Sequence, residues 1–259
     1  MQERHNNREQ YFKELATTCE KYFIPYIQQW HKVEAGMNIL EIGCGEGGNL
    51  LPFSRMGCKV TGVDIAACRI DEARDFFKRE QAEGVFIADD IFNQTDLQHQ
   101  YDIIICHDVI EHLYNKDIFM SRIGAYLNDD GVIFMSFPAW MMPFGGHQQI
   151  CHNKLLSHLP FVHLLPRALY KGVINMFGED KGCLDELMSI KSTQMTIENF
   201  ESLLKKANLA IHNKVLWFVN PHYQTKFGLT PRKLCAPFSS IPYVRDFFST
   251  SCFYILKNK

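Results

Sequence analysis

Apolar positions follow two rhythms along this chain. From Arg8 to Trp30, Tyr11, Phe12, Leu15, Cys19, Tyr22 and Phe23 recur at the spacing of one helix face. That spacing predicts an N-terminal helical segment within residues 1–32, interrupted near Pro25. Short, nearly continuous apolar runs then alternate with amphipathic stretches. Met37–Ile42, Lys59–Asp64, Val85–Ala88, Tyr101–Cys106 and Gly131–Ser136 read as strands. Asn49–Met56 and Ile70–Glu80 read as helices, the second with Ala73, Phe76 and Phe77 on one side. Strands that are apolar throughout, rather than alternately, suit a parallel sheet covered on both faces. Residues 33–136 are therefore expected to form an α/β core.

The rhythm breaks after Ser136. Residues 137–195 contain Pro138, Pro143, Gly145, Gly146, Pro160 and Pro166 among many Phe, Leu, Met and His residues. So apolar and long a stretch is expected to fold as an inserted, mostly helical cap rather than a loop. Thr196 is a plausible N-cap for a helix running to Ala207. Ala210–Val219 and Ser251–Leu256 are expected strands, so that residues 196–259 complete the core sheet.

At 259 residues, with 46% hydrophobic and 22% charged residues, the chain has the make-up of a soluble globular protein. A net charge of -2 argues against a dedicated nucleic-acid binder. The charge is uneven: nine Lys and Arg residues from Lys205 to Lys259 face only Glu201 and Asp246. A solvated basic surface explains this; attraction to an anionic substrate or membrane surface is the sharper reading. Nine cysteines without a C-x-x-C pair suit reduced thiols. The polar stretch Met1–Gln10 does not read as a signal peptide, and no apolar run reaches the roughly 20 residues of a membrane span. A cytoplasmic protein is expected.

The candidate chemistry begins at Ile39–Gly48, a strand that breaks into glycines. Gly43, Gly45 and Gly48 satisfy G-x-G-x-x-G, while Glu41, Gly43, Gly45 and Gly47 satisfy E-x-G-x-G-x-G. Either loop brings bare backbone and a helix N-terminus to a nucleotide-like cofactor. Asp64, ending the second strand, can accept both hydroxyls of a ribose, and its spacing suits NAD as well. Three features separate the templates. Glu41 can meet a cationic amino group directly or through backbone, where a pyrophosphate would be repelled. Asp89, Asp90 and Ile91 end the third strand with acceptors for an adenine amino group beside an apolar wall. His107 to His112 form a polar turn after the fourth strand, at the crevice of an open α/β sheet.

With these residues the sequence resembles class I S-adenosylmethionine (SAM)-dependent methyltransferases. Glu41-Ile42-Gly43-Cys44-Gly45-Glu46-Gly47 is similar to their first motif, with Asp64 as the ribose-binding acid and Ile65 beside it. Asp90-Ile91 resembles the adenine-contacting pair, Asp89 competing for that role. Asp108-Val109-Ile110-Glu111-His112 resembles the corresponding run of the ubiquinone-pathway and small-molecule branch. By that resemblance the backbone around His107 faces the methionine part of the cofactor. The resemblance implies a Rossmann-like three-layer α/β sandwich with a seven-stranded, mostly parallel sheet whose last strand is antiparallel. It implies SAM as cofactor and S-adenosylhomocysteine as product. The capped form, with Phe137-Pro138-Ala139-Trp140 and Gly145-Gly146-His147, looks like bacterial methyltransferases of this branch and implies no particular acceptor. A small-molecule or lipid- or glycan-linked acceptor fits best, because an activated methyl needs mainly alignment and exclusion of water.

His147, in a glycine turn, is the candidate substrate-facing base; a hydrogen-bonded structural histidine is the plainer alternative. The spacing of His147, His152, His158 and His163 does not put them on one helical face, so no metal site is expected. Glu111 reads as a helix-start charge and His112 as a residue near the cofactor. Leu155–Lys171 could lie on a membrane, although Pro160 and Pro166 interrupt it. An NAD-dependent oxidoreductase is the competing enzyme class, without an evident Tyr-x-x-x-Lys arrangement. A non-catalytic SAM-binding domain is the third reading.

Overall fold

The computed structural model describes residues 7–259. The part of the N-terminal readings that falls on residues 1–6 lies outside the described residues. Strands β1 (Asn38–Ile42), β2 (Lys59–Asp64), β3 (Val85–Ala88), β4 (Tyr101–His107) and β5 (Leu127–Phe137) pair in parallel. After the cap come β6 (Leu209–Val219), β7 (Arg232–Lys233) and β8 (Ser251–Asn258). The sheet order is β3-β2-β1-β4-β5-β8-β6-β7, with β8 antiparallel to both neighbours. The sheet has eight strands, not the expected seven. The additional one is β7, a two-residue pairing on the outer edge of β6, too short to leave an apolar run.

The continuous apolar strands have the expected consequence. Leu40, Ile104, Ile133 and Tyr254 point into one buried cluster, while Ile39, Ile103, Phe134 and Phe253 point into another. Adjacent residues alternate between the two faces, so each strand must be apolar at nearly every position. Each large side chain wholly buried in this way contributes about 1.5–3 kcal/mol relative to exposure.

Helix α1 (Arg8–Thr18) runs through a π-helical turn, Cys19–Phe23, into α2 (Ile24–Ile27). The expected interruption near Pro25 takes the form of this π-helical turn, and the helix continues through Pro25 itself. The irregular turn lies just before it. Helices α3 (Leu50–Arg55) and α4 (Ala67–Arg79) follow β1 and β2, and α5 (Lys116–Arg122) follows β4. Helix α1 lies across the glycine loop: a Cβ on Gly48 would stand 2.6 Å from the Phe12 carbonyl oxygen and 2.8 Å from Leu15 Cβ. Buried Glu46 pins it there, accepting from Arg8 Nε at 2.6 Å and pairing with Arg69 of α4 at 3.0 Å.

Residues 138–195 rise above the C-terminal ends of the strands and include α6 (Lys154–His158), α7 (Arg167–Met176) and α8 (Lys181–Thr193). They have a small core of their own, centred on Leu156, Tyr170, Ile174 and Leu187. Helix α9 (Ile197–Lys206) starts at Thr196, whose side chain accepts from Asn199 N–H as an N-cap. Helix α10 (His222–Phe227) packs on α1 through Thr18 Oγ1, 3.0 Å from His222 Nδ1. Helix α11 (Val244–Phe248) supplies buried Asp246, which accepts from Met141 N–H and Ile197 N–H, both at 2.8 Å. One carboxylate thus joins the two ends of the cap.

Candidate functional site

The C-terminal ends of β1, β2, β3 and β4 open on a cleft of about 600 Å³. That lies within the roughly 300–1,000 Å³ usual for small-molecule sites. Gly43, the first glycine of the loop, lines it. Gly43 has φ +72°, and a Cβ there would come within 2.4 Å of Val109 Cγ2, so this turn packs tightly against the Val109 side chain. Gly45 has φ +50° with open space where a Cβ would be, the bare-backbone approach that a nucleotide-like ligand requires. Gly47 packs on Phe86, and Cys44 is buried with its thiol pushed well above the usual range by burial.

Asp64 lines the cleft but is already tied to backbone. Its Oδ2 accepts from Gly45 N–H at 2.9 Å and its Oδ1 from Ala66 N–H at 2.8 Å. Ile65 beside it is 82% exposed, an apolar wall with no protein partner over most of its surface. Across the cleft, Asp89 uses both carboxylate oxygens on Asn93, Gln94 and Asp90 N–H, and these bonds hold it below the usual carboxylate range. Asp90 spends only Oδ1, on Phe92 N–H. Ile91, Phe92, Ile118 and Tyr114 continue the apolar lining. Tyr114, 70% exposed and joined to Ser189 of α8 through its hydroxyl at 2.9 Å, was not foreseen from the sequence.

Glu41 does not line the cleft. It is buried under the loop, accepting from Asn49 Nδ2 at 2.7 Å, while its Oε2 has no hydrogen-bond partner. Burial pushes its carboxyl up to about 8. His107 also turns inward, to Ser136 Oγ at 2.6 Å and the ring of Phe23.

Asp108 adopts φ +53°, a left-handed conformation that Asp tolerates better than most residues. It stands between the first cleft and a second cavity of about 180 Å³, and lines both. The second cavity is bounded by Met142, Phe144 and His147 of the cap, Tyr11 of α1, and Tyr223 and Lys226 of α10. His147 faces this cavity, its ring edge-on to His112 with centroids 5.3 Å apart. Burial pushes His147 down to about 3, so it is neutral at physiological pH and a weak proton acceptor.

Beneath His112, Glu111 is 4% exposed and neither carboxylate oxygen has a hydrogen-bond partner. Burial first, then the nearby charge of Asp108, pushes Glu111 well above the usual carboxylate range. It is thus no solvated helix-start charge. One donor atom each from Glu111, His112 and His147 lies within 4.8 Å of the others, close enough to share a cation. Of the four cap histidines, His147 belongs to such a group among the described residues.

The comparisons with known proteins bear on this arrangement. The model of a family described as "Methyltransferase domain" matches residues 8–214. The chain belongs to that methyltransferase-domain family. The family's cofactor, SAM, replaces the dinucleotide alternative.

The methyltransferase is 34% identical over 106 residues to a ubiquinone biosynthesis O-methyltransferase of Nitrobacter winogradskyi, covering 39% of each protein. It is 26% identical over 130 residues to a pavine N-methyltransferase of Thalictrum flavum subsp. glaucum, 48% of this chain and 36% of the relative. The matched region thus spans about two-fifths of these curated relatives. Among solved structures, the plantazolicin methyltransferase BpumL superposes with a TM-score of 0.58 at 17% identity, over 98% of this chain and 88% of the other. Magnesium protoporphyrin IX methyltransferase from Synechocystis PCC 6803 gives 0.56 at 15% identity, over 95% and 84%. These likenesses carry the fold. Among the described residues no helix is long and apolar enough to cross a membrane.

Proposed function

We propose that this protein transfers a methyl group from SAM to a small-molecule acceptor carrying a lipid tail. The observation that carries the reading is the position of Asp108, which lines both the cofactor-type cleft and the cavity under the cap. Two compartments meeting at one backbone segment suit two ligands held for in-line transfer. SAM, when bound, supplies a methyl already activated on a sulfonium. The residues of the chain then have to bind, orient and exclude water. The open Gly45 backbone, Asp64, Ile65 and the free oxygen of Asp90 have the donors, acceptors and apolar surface that a ribose and adenine need. Glu41 acts through Asn49 and the loop above it. His147, Tyr223 and Lys226 face the acceptor, with His147 the candidate to receive a proton once a ligand alters its surroundings.

The relatives include both an O- and an N-methyltransferase, and the lipid tail rests on the chain's own surface. From Phe227 to Phe248, Phe227, Leu229, Phe238, Ile241, Tyr243, Phe247 and Phe248 are exposed. The exposed charges in that stretch are Arg232 and Lys233, whereas Arg245 and Asp246 are buried. An apolar ridge with cations and no exposed acid complements an anionic bilayer surface. The ridge leaves the end of α10, whose Tyr223 and Lys226 line the acceptor cavity. The free cysteines suit a reducing, cytoplasmic setting.

The test is S-adenosylhomocysteine formation with matched acceptors, water-soluble or embedded in anionic vesicles. Faster turnover of the embedded acceptors, with co-sedimentation of the protein, is expected. Turnover of soluble acceptors alone, without co-sedimentation, would refute the lipid-linked class. Thermal stabilisation by NAD but by neither SAM nor S-adenosylhomocysteine would refute the cofactor.

A further inference from the structure

We propose that Cys151, Glu179 and Cys183 form a zinc site that staples the cap together, with water in the fourth position. One donor atom from each lies within 4.8 Å of the others. The two sulfurs are 4.0 Å apart. A tetrahedral ion with Zn–S bonds of about 2.3 Å has an S–S edge of about 3.8 Å, so the thiols already stand near that spacing. A disulfide would need them at about 2.05 Å. Cys151 and Cys183 are buried at 1% and 7% exposure, and the Glu179 side chain at 1%.

The three donors come from separate elements: the turn before α6, the loop between α7 and α8, and the first turn of α8. Backbone aims the carboxylate, with Oε1 accepting from Asn153 N–H at 2.8 Å and Oε2 from His152 N–H at 2.9 Å. The His152 ring nitrogen Nδ1 lies 3.2 Å from Oε2, an outer hydrogen bond of the kind that orients a ligating carboxylate.

A second observation points into the cluster. Tyr170 is fully buried and its hydroxyl has no hydrogen-bond partner. It lies in the same small buried cluster as both cysteines. A buried hydroxyl left unpaired costs about 1–3 kcal/mol, and a water completing the metal's coordination would satisfy it. Free thiols carry their protons at neutral pH. Binding balances as one Zn²⁺ taken up, two Zn–S bonds formed from thiolates, and two protons released to solvent. Two thiolates with a carboxylate select zinc over magnesium or calcium. The cap has reason to need such a link, because six residues form the buried part of its own core.

The full chain, purified from zinc-replete growth under reducing conditions, should contain about one zinc by mass spectrometry of the metal. Replacement by cobalt should give a thiolate-to-metal charge-transfer band, about halved in Cys151→Ser or Cys183→Ser and absent in the double variant. Glu111→Gln should leave that band unchanged, separating this site from the cleft cluster. If the serine variants do not fold, the wild-type chain still reports: chelation should lower Tm by several degrees and zinc should restore it. A wild-type chain with neither zinc nor a cobalt band overturns the proposal. So does a band that survives in the double variant, or a count of two fewer than the nine free thiols, which would mark a disulfide.

Discussion

Asp64 holds Gly45: its carboxylate Oδ2 accepts from the Gly45 backbone N–H at 2.9 Å. The residue read from the sequence as a ribose acceptor therefore also fixes the loop over which a cofactor would lie. Asp64→Ala removes both functions and should weaken SAM binding by about 1–3 kcal/mol, the scale of a lost buried hydrogen-bonding partner. Asp64→Asn keeps an amide oxygen for Gly45 and should lose less. Calorimetric titration with SAM measures both variants. An unchanged affinity in Asp64→Ala would contradict the assignment.

The loop is also held from above. A Cβ on Gly48 would meet a carbonyl oxygen and a neighbouring Cβ rather than the tip of a flexible side chain, so α1 would have to lift. Gly48→Ala should cost about 1–3 kcal/mol in denaturant unfolding, the usual scale of overpacking, and expose α1 to protease. Gly172→Ala, in α7 with nothing within 4 Å, is the control. There alanine should stabilise by about 0.5–1 kcal/mol through helix propensity. Equal effects at the two positions would show that Gly48 is not sterically required.

Much of this architecture is local, and local features are legible in a sequence. β2 and β3 have the predicted ends because each is an apolar run stopped by Asp64 or by the Asp89–Asp90 pair. β5 starts at Leu127 rather than at the expected Gly131, because the polar run Asn128-Asp129-Asp130, which carries no apolar signal, continues the strand. β7 was missed altogether, since its two charged residues pair with β6 only after the chain has folded back. The same distinction runs through the site. Asp64, Asp90 and Asp108 follow strand ends and could be picked out by position. The second cavity could not, because Tyr11, His147 and Lys226 meet only when α1, the cap and α10 cross. Glu111 looked like a solvated charge because nothing in its neighbours announces that the cap will bury it.

Glu41 makes stability depend on pH in a defined direction. Its folded-state carboxyl is pushed by burial from 4.5 to about 8. Between those values the folded chain keeps a proton that the unfolded chain has released. The stabilisation is complete below about 4.5, decays as pH rises, and is gone above about 8. The slope attributable to this group is at most about 1.4 kcal/mol per pH unit. Glu41→Gln removes the titration, so the variant should gain on the wild type from pH 5 to pH 8 and then run parallel to it. Urea unfolding at several pH values reads this difference. A difference independent of pH would show that Glu41 is ionised in the folded protein.

Asp246 gives the last test, because it separates the cap from the cofactor cleft. Its two oxygens hold Met141 N–H and Ile197 N–H, at the two ends of the cap, while Arg245 beside it is anchored to Glu198 and Glu201. None of these residues lines the cleft. Asp246→Ala would leave the buried Ile197 N–H without an acceptor, at about 1–3 kcal/mol, and would also free the half-buried Met141 N–H. The cap should loosen while the glycine loop, Asp64 and Asp90 stay in place. SAM affinity should then change less than threefold, whereas methylation of any acceptor that the wild type accepts should fall at least tenfold. Hydrogen exchange should rise in residues 141–195 and stay unchanged in β1 to β4. A parallel loss of cofactor affinity and methylation would instead mean that cap and cleft fold as one unit, so that the acceptor cavity cannot be altered without the other.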